Sequence, residues 1–149
     1  MRLWRISTYT DLSGLGGLWA SGRWHTRGRR VVYLADHPAS ALLEMIVRLE
    51  PDVVPDTYTL LCVSLPDILE TSEIEFDELP ADWRERPALT RQLGDQWLDA
   101  SETALISVPS AIVPSAHHYL MNPAHAASAY ARVLDVIRAP FDPRLMRRA

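Results

Sequence analysis

Segments rich in β-branched and aromatic residues alternate with amphipathic helical patterns along this chain of 149 residues, and this alternation constrains the fold most strongly. Strands are predicted over residues 3–7, 31–35, 57–65, 104–108, 111–113 and 132–137. Helices are predicted over residues 38–50, 87–100 and 123–130, each with a proline in its first turn. The interleaving predicts a mixed α/β (α+β) fold, and the length fits a single compact domain over residues 1–149.

Two stretches lack this periodicity. Residues 8–30 are rich in Gly, Ser and Arg, and a loop of that length inside a compact domain is usually functional. Residues 66–86 carry many acids and are predicted to be a variable surface region. Their composition leaves open whether they contact a partner or only solvent.

The charge is distributed unevenly along the chain. Residues 1–48 hold seven arginines against three acids, whereas residues 49–102 hold three arginines against fourteen acids. All fifteen basic residues are arginine, which suits bidentate capture of phosphate, although codon bias also produces lysine-free chains. The net charge of −4 argues against a general nucleic-acid binder.

Several classes of protein are disfavoured by the sequence. The apolar run at residues 41–49 is interrupted by Glu44 and Arg48, so no membrane span is predicted. The N-terminus has no secretory pattern, and the lone Cys62 lies in an apolar strand, so we expect a cytoplasmic protein. His117, His118 and His125 lack metal-ligand spacing, and no metal site is predicted.

Glu44 is the most informative carboxylate. On the predicted helix it lies roughly opposite a stripe formed by Leu42, Met45, Ile46 and Leu49, with Arg48 four residues further on. Periodicity alone favours a solvated Glu–Arg pair. The wider apolar arc instead leaves Glu44 at its edge, where the carboxylate could face a cleft.

Four further side chains are candidates for binding. Arg5 on the first strand and Arg23 in the long loop could clamp a diphosphate, although each alone is an ordinary surface arginine. Tyr33 could be strand core or a wall against which an aromatic ligand packs. Ser110 lies between Pro109 and Pro114, which could present its hydroxyl, although serine beside proline is also common in turns.

Six short motifs occur in order along the chain. They are Arg5-Ile6-Ser7, Gly22-Arg23-Trp24 with Gly28, Val32-Tyr33-Leu34-Ala35, Ala41-Leu42-Leu43-Glu44, Val108-Pro109-Ser110 and Asn122-Pro123-Ala124-His125. In this order they resemble the RES domain family, the toxins of bacterial RES–Xre toxin–antitoxin pairs. The resemblance covers nearly the whole chain. His25 departs from it, because the family often has Asn there.

The resemblance implies a fold similar to that of ADP-ribosyltransferases and an enzyme that degrades NAD, as its substrate and not as a cofactor. It implies site positions at Arg5, Arg23, Tyr33, Glu44 and Ser110, with Asn122 and His125 in support. It also implies an Xre-type helix-turn-helix antitoxin as partner and a homodimer of the toxin.

The chemistry fits these residues. The nicotinamide that leaves NAD is cationic beforehand, so its departure needs no general acid, whereas ordinary glycosidases use two carboxylates. One carboxylate, Glu44, would then suffice to stabilise the cationic sugar. The sequence leaves open whether phosphate, water or a protein accepts the ADP-ribose. It also leaves open a non-catalytic module that only binds an antitoxin.

Overall fold

The computed structural model describes residues 1–146, so the last three residues of the predicted domain lie outside it. Within this range the chain forms a mixed seven-stranded sheet with strand order β4-β5-β6-β2-β1-β3-β7. The strands are β1 Arg2–Ile6, β2 Val32–Ala35, β3 Thr57–Ser64, β4 Thr71–Glu73, β5 Leu105–Pro109, β6 His117–Met121 and β7 Arg132–Pro140. The α-helices are α1 Gly16–Trp19, α2 Pro38–Ile46 and α3 Pro87–Ala100, with 3₁₀ turns at Phe76–Glu78, Trp83–Glu85, Ala126–Tyr130 and Pro143–Met146. The predicted mixed α/β fold is confirmed.

The sheet opens between β1 and β2. In the described chain these two strands pair at a single position, Trp4 opposite Ala35, whereas β1 and β3 pair at five positions. If the β1–β2 ladder continued, Arg5 would lie opposite Leu34. The separation of the strands beyond Trp4 leaves room for a cleft in the middle of the sheet.

Buried side chains cover both faces of the sheet, as the alternation along each strand requires. On one face Val32 and Leu34 of β2 pack with Leu105 of β5. On the other face Ile106 and Val108 of β5 pack against a set of tryptophans: Trp24, Trp83 and Trp97. This second cluster joins the loop before β2 to helix α3.

The surface prediction for residues 66–86 is right for most of them, which are exposed, and wrong for Leu79 and Trp83, which are buried in the core. Trp83 is 1% exposed and belongs to the second core cluster, where its ring lies edge-on to Phe76. β4 pairs in parallel with β5, a contact between residues distant in sequence. The many exposed acids of this segment dominate its composition, so composition alone did not reveal the buried Trp83 or the strand β4.

The strand predicted over residues 111–113 is also wrong. These residues form a turn between β5 and β6, in which the backbone N–H groups of Ile112 and Val113 donate to Ser110 Oγ, each at 3.1 Å. Such local bonds compete with strand pairing even where the side chains are β-branched. The strand lies instead at β6, which pairs with both β5 and β2.

The helix predictions hold in position, but two of the three differ in length or type. α3 has the predicted bounds, but α2 ends at Ile46, and the next backbone bonds, from Arg48 and Leu49, span three residues as in tight turns. Ala41 is buried in α2, whereas the predicted apolar stripe is only half-buried. The predicted helix over residues 123–130 is a 3₁₀ turn at Ala126–Tyr130. None of the helices within residues 1–146 is long and apolar enough to cross a bilayer.

Candidate active site

A cleft of about 880 Å³ lies where the sheet opens between β1 and β2. Its walls come from both strands, from α2 and the first turn of α3, from the loop at residues 20–25 and from the turn after β5. This volume is within the range of small-molecule sites. We call it the arginine cleft because of the charges described next.

The fixed charges around the cleft are mainly positive. Among the described residues that line it, four carry a guanidinium group, namely Arg5, Arg23, Arg48 and Arg91, and Glu44 alone carries a carboxylate. Low-dielectric walls focus such a field, so an acidic protein can still attract an anion to this place. The cleft is therefore suited to an anionic ligand with a positive centre near Glu44.

Glu44 faces the cleft and not bulk water. Its Oε1 lies 3.0 Å from His118 Nε2, while its Oε2 lies 3.8 Å from Arg48 Nη2. The solvated Glu–Arg pair that periodicity favours is thus not the main contact. Burial acts to raise the pKa of Glu44, but the hydrogen bond and charge of His118, with Arg48 and Arg23, outweigh it and hold the pKa below its usual value. Glu44 is a carboxylate held ionised in a partly buried place.

Arg5 and Arg23 both line the cleft and are held by neutral oxygen atoms. Arg5 Nη2 donates to Ser7 Oγ at 3.0 Å, and Arg23 Nη1 donates to the carbonyl of Arg84 at 2.7 Å. Burial lowers the pKa of Arg5, although the charge of Asp11 opposes this effect. Guanidinium groups bonded to neutral oxygens keep their charge available for an anion.

The Tyr33 hydroxyl is part of a network beneath the loop. It accepts the backbone N–H of Trp24 at 3.1 Å and lies 2.8 Å from His25 Nδ1. His25 Nε2 lies 2.9 Å from the carbonyl of Ala20, so Nε2 carries the proton and Nδ1 accepts from Gly22 N–H and from Tyr33. Burial raises the pKa of Tyr33. The ring of Tyr33 is left as a wall of the cleft, with the Arg48 guanidinium 5.9 Å from its centre.

Gly22 has no room for a side chain. A Cβ there would lie 2.3 Å from the Tyr33 hydroxyl and 2.8 Å from His25 Nδ1. The glycine thus lets the loop that carries Arg23 approach β2 closely.

Ser110 does not line the cleft. It is 2% exposed, and its Oγ is occupied by the two backbone N–H groups of the turn after β5. Its neighbours Pro109, Ala111 and Ile112 do line the cleft. The structure therefore gives Ser110 a part in shaping the wall and brings no hydroxyl of Ser110 to the ligand space.

Asn122 and His125 lie away from the cleft, beyond the opposite end of β6. Asn122 Oδ1 accepts the N–H of Ala124 and its Nδ2 donates to Ser101 Oγ, while His125 Nδ1 accepts the N–H of Ala127. We call Asn122, His125 and Ser101 the Asn122 corner. His125 borders a separate apolar depression of about 530 Å³. The structure brings together Arg5, Arg23, Tyr33 and Glu44, and not these two residues.

The cleft also contains polar side chains that were not predicted as site residues, among them Arg48, Arg91 and His118. Arg48 was considered only as a partner of Glu44, and Arg91 on α3 had no motif around it. His118 gave no signal because the strand that carries it was not predicted. In the part of the chain that the structure describes, no group of three His, Cys, Asp or Glu side chains is arranged to hold a metal ion.

The fold and the cleft together define a class of protein. It is a small mixed α/β domain with a cleft between two strands of its sheet, in which one ionised carboxylate lies among arginines. The RES domain model matches residues 2–142, and the chain belongs to the RES domain family. The resemblance predicted from six short motifs is confirmed, and by family the chain is a RES-domain toxin.

Two similar proteins support the assignment to the RES domain family. Toxin Res of Pseudomonas putida is 48% identical over 135 residues, which cover 89% of this chain and 92% of the relative. A Sphingobium sp. protein named Prs ADP-ribosylating toxin is 36% identical, with 98% of this chain and 97% of the relative covered.

A solved structure has the same fold. The M. tuberculosis MbcT–MbcA toxin–antitoxin complex contains a chain that superposes with a TM-score of 0.75 at 14% identity. The match covers 97% of this chain and 86% of that one. At this identity the similarity concerns the fold.

Proposed function

We propose that this protein is a toxin enzyme that cleaves the nicotinamide–ribose bond of NAD, with phosphate or water as acceptor. The observation that carries the proposal is the position of Glu44, whose ionised carboxylate faces a cleft in which the other fixed charges belong to arginines. NAD combines a diphosphate with a cationic nicotinamide-ribose end, and the cleft offers the complementary charges at short range.

The reaction is balanced without an oxidant or a metal. The bond between ribose C1′ and the nicotinamide nitrogen breaks, and its electron pair stays on nitrogen, so nicotinamide leaves neutral. An oxygen of phosphate or water then bonds to C1′, and when water attacks its proton passes to solvent. The sugar is most positive in the transition state, and a fixed carboxylate contributes about 3–4 kcal/mol to stabilising it.

Each cleft residue has a role in this proposal. Arg5 and Arg23 bind the two phosphates, because guanidinium groups bind phosphate through paired N–H donors. Tyr33 packs against the nicotinamide ring, since its hydroxyl is held by His25 and Trp24 and its ring is free to face the ligand. Glu44 contacts the ribose. Ser110 acts at one remove, by holding the turn that carries Pro109 and Ile112.

Transfer of ADP-ribose to a protein is a second candidate. It is favoured by one relative, the Sphingobium protein named for ADP-ribosylation of Prs. The same bond breaks in either case, and the two candidates differ in the acceptor. Mass added to a protein target, with little free ADP-ribose or ADP-ribose phosphate, would favour transfer.

An antitoxin is the expected partner. The structural neighbour is a toxin–antitoxin complex, and the family resemblance points to an Xre-type helix-turn-helix protein. We propose that such a partner covers the cleft, that the toxin forms a homodimer, and that both act in the cytoplasm where NAD is available.

The deciding experiment follows NAD and its products. The purified protein is incubated with NAD in phosphate buffer and in phosphate-free buffer, and the products are identified by their masses in a mass spectrometer. Nicotinamide release with ADP-ribose 1″-phosphate in the first buffer, or with ADP-ribose in both, supports the proposal. Intact NAD in both buffers, together with harmless overproduction in cells that lack the partner, would favour a non-catalytic antitoxin-binding module.

A further inference from the structure

The two oxygens of the Glu44 carboxylate have different surroundings. Oε1 lies 3.0 Å from His118 Nε2, a hydrogen-bond distance. Oε2 lies 3.8 Å from Arg48 Nη2, which is too long for a hydrogen bond. The carboxylate is therefore held at one oxygen, and the other is left toward the arginine cleft.

The residue that holds Glu44, His118, belongs to the sheet. His118 is in β6, paired on one side with Ala35 of β2 and on the other with Val108 of β5, and its side chain is 13% exposed. Helix α2, which carries Glu44, is short and only half-buried along its apolar stripe. The strand is thus the rigid element, and a bond to it fixes an acid whose own helix is weakly packed.

We propose that His118 is the positioning residue for Glu44: its imidazole donates Nε2–H to Oε1 and so directs Oε2 at the ribose. This inference rests on the proposed NAD cleavage. His118 itself does not contact the substrate. Misplacement of a reacting group by about 1 Å can cost about 100-fold in rate, which is the scale of the effect that this bond prevents.

A single ring N–H of His118 suffices for this bond, because the Oε1 atom needs only one donor to be held in place. Arg48, two residues beyond the end of α2, and Arg23 from the loop also act on this carboxylate, while the strand partners Ala35 and Val108 carry no charge.

The test compares three variants. His118→Leu removes the donor, and we expect kcat to fall about 100-fold with KM changed less than about threefold, because ground-state binding rests on the arginines. His118→Gln keeps an amide N–H in a similar position, so it should recover at least about tenfold in kcat over His118→Leu. His117→Leu is the matched control on the same strand, one residue away and outside the cleft, and should retain the parent kcat.

A second measurement does not depend on NAD. In ¹⁵N and ¹H NMR spectra, the His118 ring should be protonated on Nε2, with an Nε2–H signal protected from exchange in the parent and lost in Glu44→Ala. If that signal is absent from the parent, or if His118→Leu retains the parent kcat, the positioning role is wrong. If the pairing is seen but the parent leaves NAD intact, the proposed function fails while the Glu44–His118 contact stands.

Discussion

The two ends of β6 carry similar polar residues and differ in what those residues bond to. At the Asn122 corner, the side-chain hydrogen bonds of Asn122 and His125 go to a nearby backbone N–H or to Ser101. At the other end, His118 reaches Glu44 across the cleft, and the guanidinium groups around them line open space. Motif spacing selected residues at both ends. Hydrogen-bond partners distinguish them, because a polar group saturated by its own turn has little left for a ligand.

The geometry of the arginine cleft also depends on contacts outside it, between the loop that carries Arg23 and helix α3. Thr90 on α3 donates to the Arg23 carbonyl at 2.6 Å, and Arg91 Nε donates to the Gly22 carbonyl at 2.9 Å. These bonds attach the arginine-bearing loop to a long helix. The site is thus built on the second core cluster, and changes in that cluster should reach it.

The largest stability effect should come from Gly94→Ala in α3. A Cβ there would lie 1.7 Å from the backbone oxygen of Trp24, which cannot yield without moving the loop. We expect the free energy of unfolding to fall by about 3 kcal/mol or more, measured by urea denaturation. Gly16→Ala is the control, since its Cβ would meet Tyr9 at an ordinary 3.6 Å. Equal stability of the two variants would show that α3 and the loop are not in close contact.

Asn122→Ala should separate the two ends of β6. It removes bonds to Ala124 N–H and Ser101 Oγ in a residue that is 4% exposed, so the free energy of unfolding should fall by about 1–3 kcal/mol. The kcat/KM per folded molecule should stay within about twofold of the parent, because a corner outside the cleft contributes no contact to the ligand. A large loss of kcat/KM at unchanged stability would instead show that Asn122 contributes to the active site.

Arg23→Ala should act mainly on binding. A lost charged contact to phosphate corresponds to about a tenfold rise in KM for NAD, with a smaller change in kcat. Arg27→Ala is the matched control, being in the same loop, exposed and outside the cleft lining. Steady-state kinetics on both variants checks this, with thermal melts to confirm folding. An unchanged KM in folded Arg23→Ala would remove Arg23 from the site.

The smallest effect should be a pH dependence of stability from His25. Burial lowers the pKa of His25 in the folded state, although bonds to the backbone oppose this effect. The unfolded chain then binds more protons, so the free energy of unfolding should fall as the pH drops through about 6.5. Urea midpoints at pH 7.5 and 5.5 should differ more for the parent than for His25→Asn, which cannot titrate. A parent protein that is more stable at pH 5.5 would reverse the predicted sign.

Local patterns predicted the parts of the fold that local interactions determine. α3 keeps its predicted bounds because its apolar residues recur at helical spacing after a proline at the first position. β4 was missed, since it pairs with β5 residues far away in the chain, whereas β6 was missed although its hairpin with β5 is local. The turn at residues 111–113 resembled a strand in composition, and only the hydrogen bonds to Ser110 Oγ explain its course.

The site could be predicted in part for the same reason. Arg5, Tyr33 and Glu44 lie on elements whose positions the sequence indicated, and the structure brings them together with Arg23. Helical periodicity placed Glu44 away from the apolar stripe, but it could not show that the cleft between β1 and β2 lies on that side of the helix. His118 required the missing strand. Ser110, Asn122 and His125 carry groups suited to binding, and their positions away from the ligand space are visible only in three dimensions.

The central claim is that the Glu44 carboxylate stabilises a cationic sugar, and nicotinamide release under single-turnover conditions tests it most directly. Glu44→Gln keeps the shape and removes the charge, so we expect the rate to fall at least about 100-fold while NAD still binds. Glu50→Gln, a change at an exposed acid beyond the end of α2 and outside the cleft lining, should release nicotinamide at the parent rate. Release by folded Glu44→Gln at the parent rate would contradict the account.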